Sequence, residues 1–197
     1  MSSLFDQRLI QFGGLGLLGG LLAAAVWCDL KEYRIPNRIV LFGTASALLL
    51  HAFVPSGVNF MGALEETGLL QALGGLAIGL GSLLPLYLIR ATGAGDAKLM
   101  AMVGAFLGPK DTFGAVLLTF SFGALIALAC AARKGVMGRM AHNVRIILYA
   151  LFARLAAANG PSFDSSTETA AKIPYTLAIA AGTAAWVALR HIVAVGR

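Results

Sequence analysis

Gly93-Ala94-Gly95-Asp96-Ala97-Lys98-Leu99 joins two apolar segments of the chain and sets a carboxylate where hydrocarbon is expected. By insertion scales, an aspartate at the centre of a membrane helix costs roughly 2.5–3.5 kcal/mol. A carboxylate kept in such a place is a candidate functional residue. A second one, Asp29, closes the first apolar segment and is followed by Ile35-Pro36-Asn37.

The composition around these two aspartates makes lipid the relevant solvent. The 197 residues are 58% hydrophobic and 12% charged, with a mean hydropathy of +0.82. Ordinary soluble domains carry about 25% charged residues, so the expected class is an all-α integral membrane protein with a single domain over 1–197. In a soluble protein the net charge of +6 would suggest nucleic acid. Here the lysines and arginines cluster between apolar segments and read as topology signals, so the bilayer is the expected partner and nucleic acid is not. Cys28 and Cys130 form no CxxC pair, and His51, His142 and His191 fall on separate segments. Neither a metal nor another cofactor is expected.

Outward from the glycine turn, the apolar segments predict six transmembrane helices, at about 9–28, 38–54, 69–89, 97–107, 112–132 and 173–194. The first is long for a signal-peptide h-region and lacks a distinct basic n-region, so it is expected to remain as a span. Gly16 and Gly20, and again Gly75 and Gly79, have the GxxxG spacing that lets helix backbones approach closely in lipid. Pro36 removes a backbone donor and suits the start of the second helix. Pro85 is expected to kink the third near its end. The fourth segment is too short to cross roughly 30 Å of hydrocarbon at 1.5 Å per residue. It is therefore expected to include the glycine turn and to start inside the bundle.

Residues 133–172 differ from the rest. Arg139, His142 and Arg145 recur every third position among apolar residues, which predicts a basic amphipathic helix in the interface followed by a polar loop. A further span there is the alternative. The 29–38, 90–98 and 133–172 connections are basic, whereas 55–68 has no lysine or arginine. Six spans then put both ends outside and Asp29 and Asp96 together on the cytoplasmic side of a bacterial inner membrane. Arg190 and Arg197 run against this tally.

Two carboxyl groups that share one proton supply both needs of peptide hydrolysis, an activated water and a proton for the leaving amine. Asp29 ends a helix, where the dipole disfavours negative charge. Asp96 starts one, where negative charge is favoured. Asp96 is thus the expected base and Asp29 the expected acid. Gly93 and Gly95 are expected to clear the approach to the carboxylate and to adopt backbone angles closed to other residues, leaving an edge on which an extended substrate pairs. Lys98, two positions from Asp96, points elsewhere and reads as a cationic anchor. The rival reading is a proton- or ion-coupled carrier with Asp29 and Asp96 as relay groups. A non-catalytic assembly protein is a third.

The block from Gly93 to Gly108 resembles the extended GxGDxKL motif of the type IV prepilin peptidases. Asp29 with Ile35-Pro36-Asn37 resembles that family's first aspartate and its proline motif, and Ile173-Pro174-Tyr175 its last-helix motif. The blocks stand in family order over nearly the whole chain. The resemblance implies an aspartic intramembrane endopeptidase with Asp29 and Asp96 as catalytic residues. Its substrate would be a prepilin with a short basic leader and an apolar N-terminal helix, cut at the cytoplasmic face, with pilus assembly machinery as a further partner. The chain's size suggests the short branch serving tight-adherence (Flp-type) pili. The longer relatives carry a domain with paired CxxC motifs and methyltransferase activity. This chain lacks those cysteines, so methylation is not expected. Presenilin-like proteases also use GxGD, but with a Tyr-Asp pair where this chain has Cys28-Asp29.

Overall fold

The computed structural model describes residues 2–32, 34–53, 68–88, 92–135, 137–138, 142, 145 and 175–196, with side chains from residue 12 onward. The 55–67 connection, Arg90, most of 133–172, and Ile173-Pro174 of the last-helix motif lie outside them. Among the described residues there are six helices: α1 (Ser2–Glu32), α2 (Asn37–Phe53), α3 (Leu69–Leu88), α4 (Ala94–Leu107), α5 (Pro109–Arg133) and α6 (Tyr175–Val195). Four contain stretches long and apolar enough to cross a membrane, Phe12–Glu32, Leu69–Leu88, Pro109–Arg133 and Tyr175–Val193; α2 is apolar but shorter. At 14 residues, α4 is about 21 Å long.

The chain divides into two compact units, residues 1–123 with 174–197, and residues 124–173. The second unit holds the C-terminal part of α5. Beyond α5, Met137, Gly138, His142 and Arg145 are helical and exposed, so two basic positions of the expected amphipathic segment are seen on helix.

In the first unit, local chemistry sets the helix ends. Ile39 N–H donates to the Pro36 carbonyl at 3.1 Å, so the proline that cannot continue a helix opens α2. Gly108 closes α4 at φ 77°, in the left-handed region that favours glycine. Pro109 then starts α5, where a missing N–H is harmless. Pro85 lies inside α3, which continues to Leu88.

The core is built around α4. From Ala97 to Leu107 every residue but the exposed Lys98 is buried, including Leu99, Met100, Met102, Val103 and Phe106. Glycines bring its neighbours close. A Cβ at Gly75 would collide with the Gly104 carbonyl, one at Gly79 with the Met100 carbonyl, and one at Gly43 of α2 with the Met102 side chain. The expected close packing at Gly75 and Gly79 is therefore realised against α4. At Gly16 and Gly20 an added Cβ would meet no atom of the described residues within 4 Å. Spacing alone does not say which glycine pair has a partner helix.

The unit has two polar ends. At one, α1 finishes and α2, α4 and α6 begin. At the other, α5 begins and α6 finishes. There Asp111 accepts a hydrogen bond from Trp186 Nε1 at 3.0 Å and pairs with Arg190 Nε at 2.9 Å. Phe12 of α1 stacks on His191 at the same end, with ring centroids 6.3 Å apart.

Candidate active site

The first end gathers the sequence motifs. Asp29 is half-buried in the last turn of α1. Asp96 is half-buried in the first turn of α4, ahead of that helix's buried stretch. The two are near enough for the charge of Asp29 to act on Asp96. Trp27 and Lys31 flank Asp29 on α1, with the ammonium 5.6 Å from the centre of the indole.

Helix α4 begins at Ala94, so the short fourth segment does take in the glycine turn, with Gly95 and Asp96 inside the helix. Gly93 is its N-cap. Gly93 N–H donates to Asp96 Oδ2 at 3.2 Å, so the carboxylate caps its own helix and satisfies one of the donors a helix start leaves open. The backbone of Gly93 is extended, φ −78° and ψ 153°, a conformation any residue adopts. The expectation of special backbone angles is therefore corrected for Gly93, and equally for Gly95, which is helical. Room is what glycine supplies at Gly95, where a Cβ would press on Ile35 at 3.3 Å; at Gly93 a Cβ would make only ordinary contact with Asp96 Oδ2, at 3.4 Å.

The Ile35-Pro36-Asn37 segment is the wall of the turn. Ile35 covers Gly95, and Lys98 Nζ donates to Asn37 Oδ1 at 3.3 Å. Lys98 does turn away from Asp96, as its spacing required, but its polar contact is with the motif that follows Asp29. Tyr175, the described part of the last-helix motif, lies within electrostatic reach of Asp96.

One residue of the site escaped the sequence reading. Thr176, fully buried near the start of α6, donates from Oγ1 to Asp96 Oδ1 at 3.2 Å. Its only sequence signal is adjacency to Pro174-Tyr175. Threonines in apolar helices commonly bond their own backbone, and nothing in the sequence separates Thr176 from Thr183 of the same helix.

The surroundings push the Asp96 carboxyl above the ordinary carboxylate range. Burial is the main cause, and the nearby Asp29 charge adds to it; the Gly93 and Thr176 hydrogen bonds oppose both. The helix start was expected to favour the ionised form, but burial outweighs the donors found there. No group of three His, Cys, Asp or Glu side chains placed to hold a metal is found among the described residues.

This is a carboxylate pair at a helix junction, backed by a glycine turn. A family model described as the type IV leader peptidase family matches residues 16–128. The chain belongs to the type IV leader peptidase family. The match spans Asp29, Ile35-Pro36-Asn37 and the Gly93–Leu99 turn, and ends before α6. Membership makes the protein a protease of prepilin leaders, and with four long apolar helices a multi-pass membrane protein. No curated protein and no solved structure is significantly similar to the chain.

Proposed function

We propose that this leader peptidase is an aspartic intramembrane endopeptidase that removes the basic leader of Flp-type prepilins at the cytoplasmic face of the inner membrane. The observation that carries this reading is the pairing of Asp29 with a half-buried Asp96 beside the glycine turn. In the reactive form of the pair the shared proton sits on Asp29, the reverse of the distribution that burial of Asp96 favours, and ionised Asp96 takes a proton from the attacking water as the oxygen bonds to the scissile carbonyl carbon. Asp29, protonated, gives its proton to the carbonyl oxygen. On collapse of the tetrahedral intermediate a proton passes to the leaving amine, and water has been split across the peptide bond. A base whose pKa is raised by burial has a higher proton affinity than an ordinary carboxylate and draws harder on the water's proton. Donors to both oxygens hold it in one orientation.

Six crossings bring the basic 29–38 and 90–98 connections to the cytoplasm, and the exposed Trp27 beside Lys31 suits the membrane interface at that end. The substrate is a prepilin whose apolar helix lies in the bilayer and whose leader reaches the glycine turn. Methyl transfer is not part of the reaction.

The test is cleavage of a synthetic prepilin, with a basic leader and an apolar helix, by purified protein in detergent. Asp29→Asn and Asp96→Asn each abolish cleavage while the protein accumulates normally. Mass spectrometry with S-adenosylmethionine present shows an unmethylated new N-terminus. Near-normal processing by either variant removes that residue from the mechanism.

A further inference from the structure

We propose that Thr176 is a positioning residue for Asp96, holding the carboxylate in the orientation and ionised form that water activation needs. This rests on the reading of Asp96 as the base. The two oxygens of Asp96 are held from different elements. Oδ2 takes the N–H of Gly93, its own helix cap, and Oδ1 takes the hydroxyl of Thr176 from α6, 80 residues further on. One bond alone leaves the carboxylate plane free to turn; two from different directions fix it.

Among the described residues the acceptor for this hydroxyl is Asp96 Oδ1. Thr176 is fully buried, so water does not satisfy the hydroxyl. Its β-branched side chain is confined to few rotamers. The contrast with Thr183 and Thr119 is informative: both are equally buried, and neither hydroxyl has a partner among the described residues. A buried threonine in this bundle does not find an acceptor by default.

The groups that face Asp96 from the packed elements set the sign. Asp29 on α1 and burial favour the protonated form; Gly93 and Thr176 favour the ionised one. Tyr175 on α6 adds a neutral phenol within electrostatic reach, and Lys98 on α4 is engaged with Asn37. Losing the Thr176 bond therefore makes Asp96 keep its proton to higher pH.

The experiment compares kcat and KM for synthetic prepilin across the acid pH range for wild type, Thr176→Val, Thr176→Ala and Thr176→Ser. Thr176→Val, close to isosteric, lowers kcat about ten- to a hundredfold with little change in KM, and moves the acid limb up by about one pH unit. Thr176→Ser restores most of the rate and the original limb. If Thr176→Val does not accumulate, Thr176→Ala, which makes no steric demand, is judged by the same limb. A wild-type limb in the valine or alanine variant, or a serine variant as impaired as valine, overturns the assignment. Failure of wild type to cleave, or cleavage by Asp96→Asn, strikes instead at the base itself and is seen without any Thr176 variant.

Discussion

A carboxylate that accepts two hydrogen bonds and still has a raised pKa is one whose burial dominates, and Asp96 is in that position. The consequence for activity has a definite sign. A raised pKa means that the proton is taken up at a higher pH on acidification, so the ionised base is complete only above that value and disappears as pH falls through it. The acid limb of kcat/KM should therefore lie above the ordinary aspartate value of about 3.9, and a pH–rate profile on prepilin measures it. A limb at or below that value would show that the donors, not burial, govern the group. At this scale Asp29 and Asp96 were legible because carboxylates in apolar sequence stand out. Thr176 was not, because a threonine in an apolar helix carries no mark of which carboxylate it will meet. Gly93 was read for a clear approach to the carboxylate and for backbone freedom; it does not use the second, since its backbone is extended.

At the scale of elements, the crossing of α3 over α4 holds the aspartate's helix in place. Gly75 and Gly104 face each other so closely that neither tolerates a Cβ without backbone movement. Gly104→Ala should destabilise the protein by about 1–3 kcal/mol, the usual range for overpacking, while Gly16→Ala and Gly20→Ala should stay within about 0.5 kcal/mol of wild type. Thermal unfolding in detergent distinguishes them, and equal melting temperatures for the Gly104 and Gly16 variants would refute the crossing. All six helices were legible from apolar runs bounded by Pro36, the Gly93–Asp96 turn, Gly108-Pro109 and Lys172-Ile173-Pro174. That α4 takes in the glycine turn was legible, because 97–107 is too short to cross alone; that the Asp96 carboxylate caps it was not. Which GxxxG pair would be used was equally hidden, since Gly16 and Gly75 have the same spacing and differ only in what lies opposite.

For the whole molecule, the two polar ends bear on how the chain sits in its membrane. Arg190, which ran against outward termini in the charge tally, is ion-paired with Asp111 at the end opposite Asp96, so its charge is already met where it stands. In a background lacking Cys28 and Cys130, a cysteine at Ser56 should react with an impermeant reagent on intact cells and one at Ser165 should not. The reverse pattern would put the aspartates on the face away from the cytoplasm. The bond from Thr176 to Asp96 also has a meaning in time. The helix that supplies it is synthesised 80 residues after the aspartate it holds, a lag of about 4–16 s at roughly 5–20 residues per second. Through that interval the nascent chain has both carboxylates but not the hydroxyl that orients one of them. On the roles proposed for Asp96 and Thr176, the protease emerges from the ribosome unarmed and acquires its full activity only when α6 is inserted.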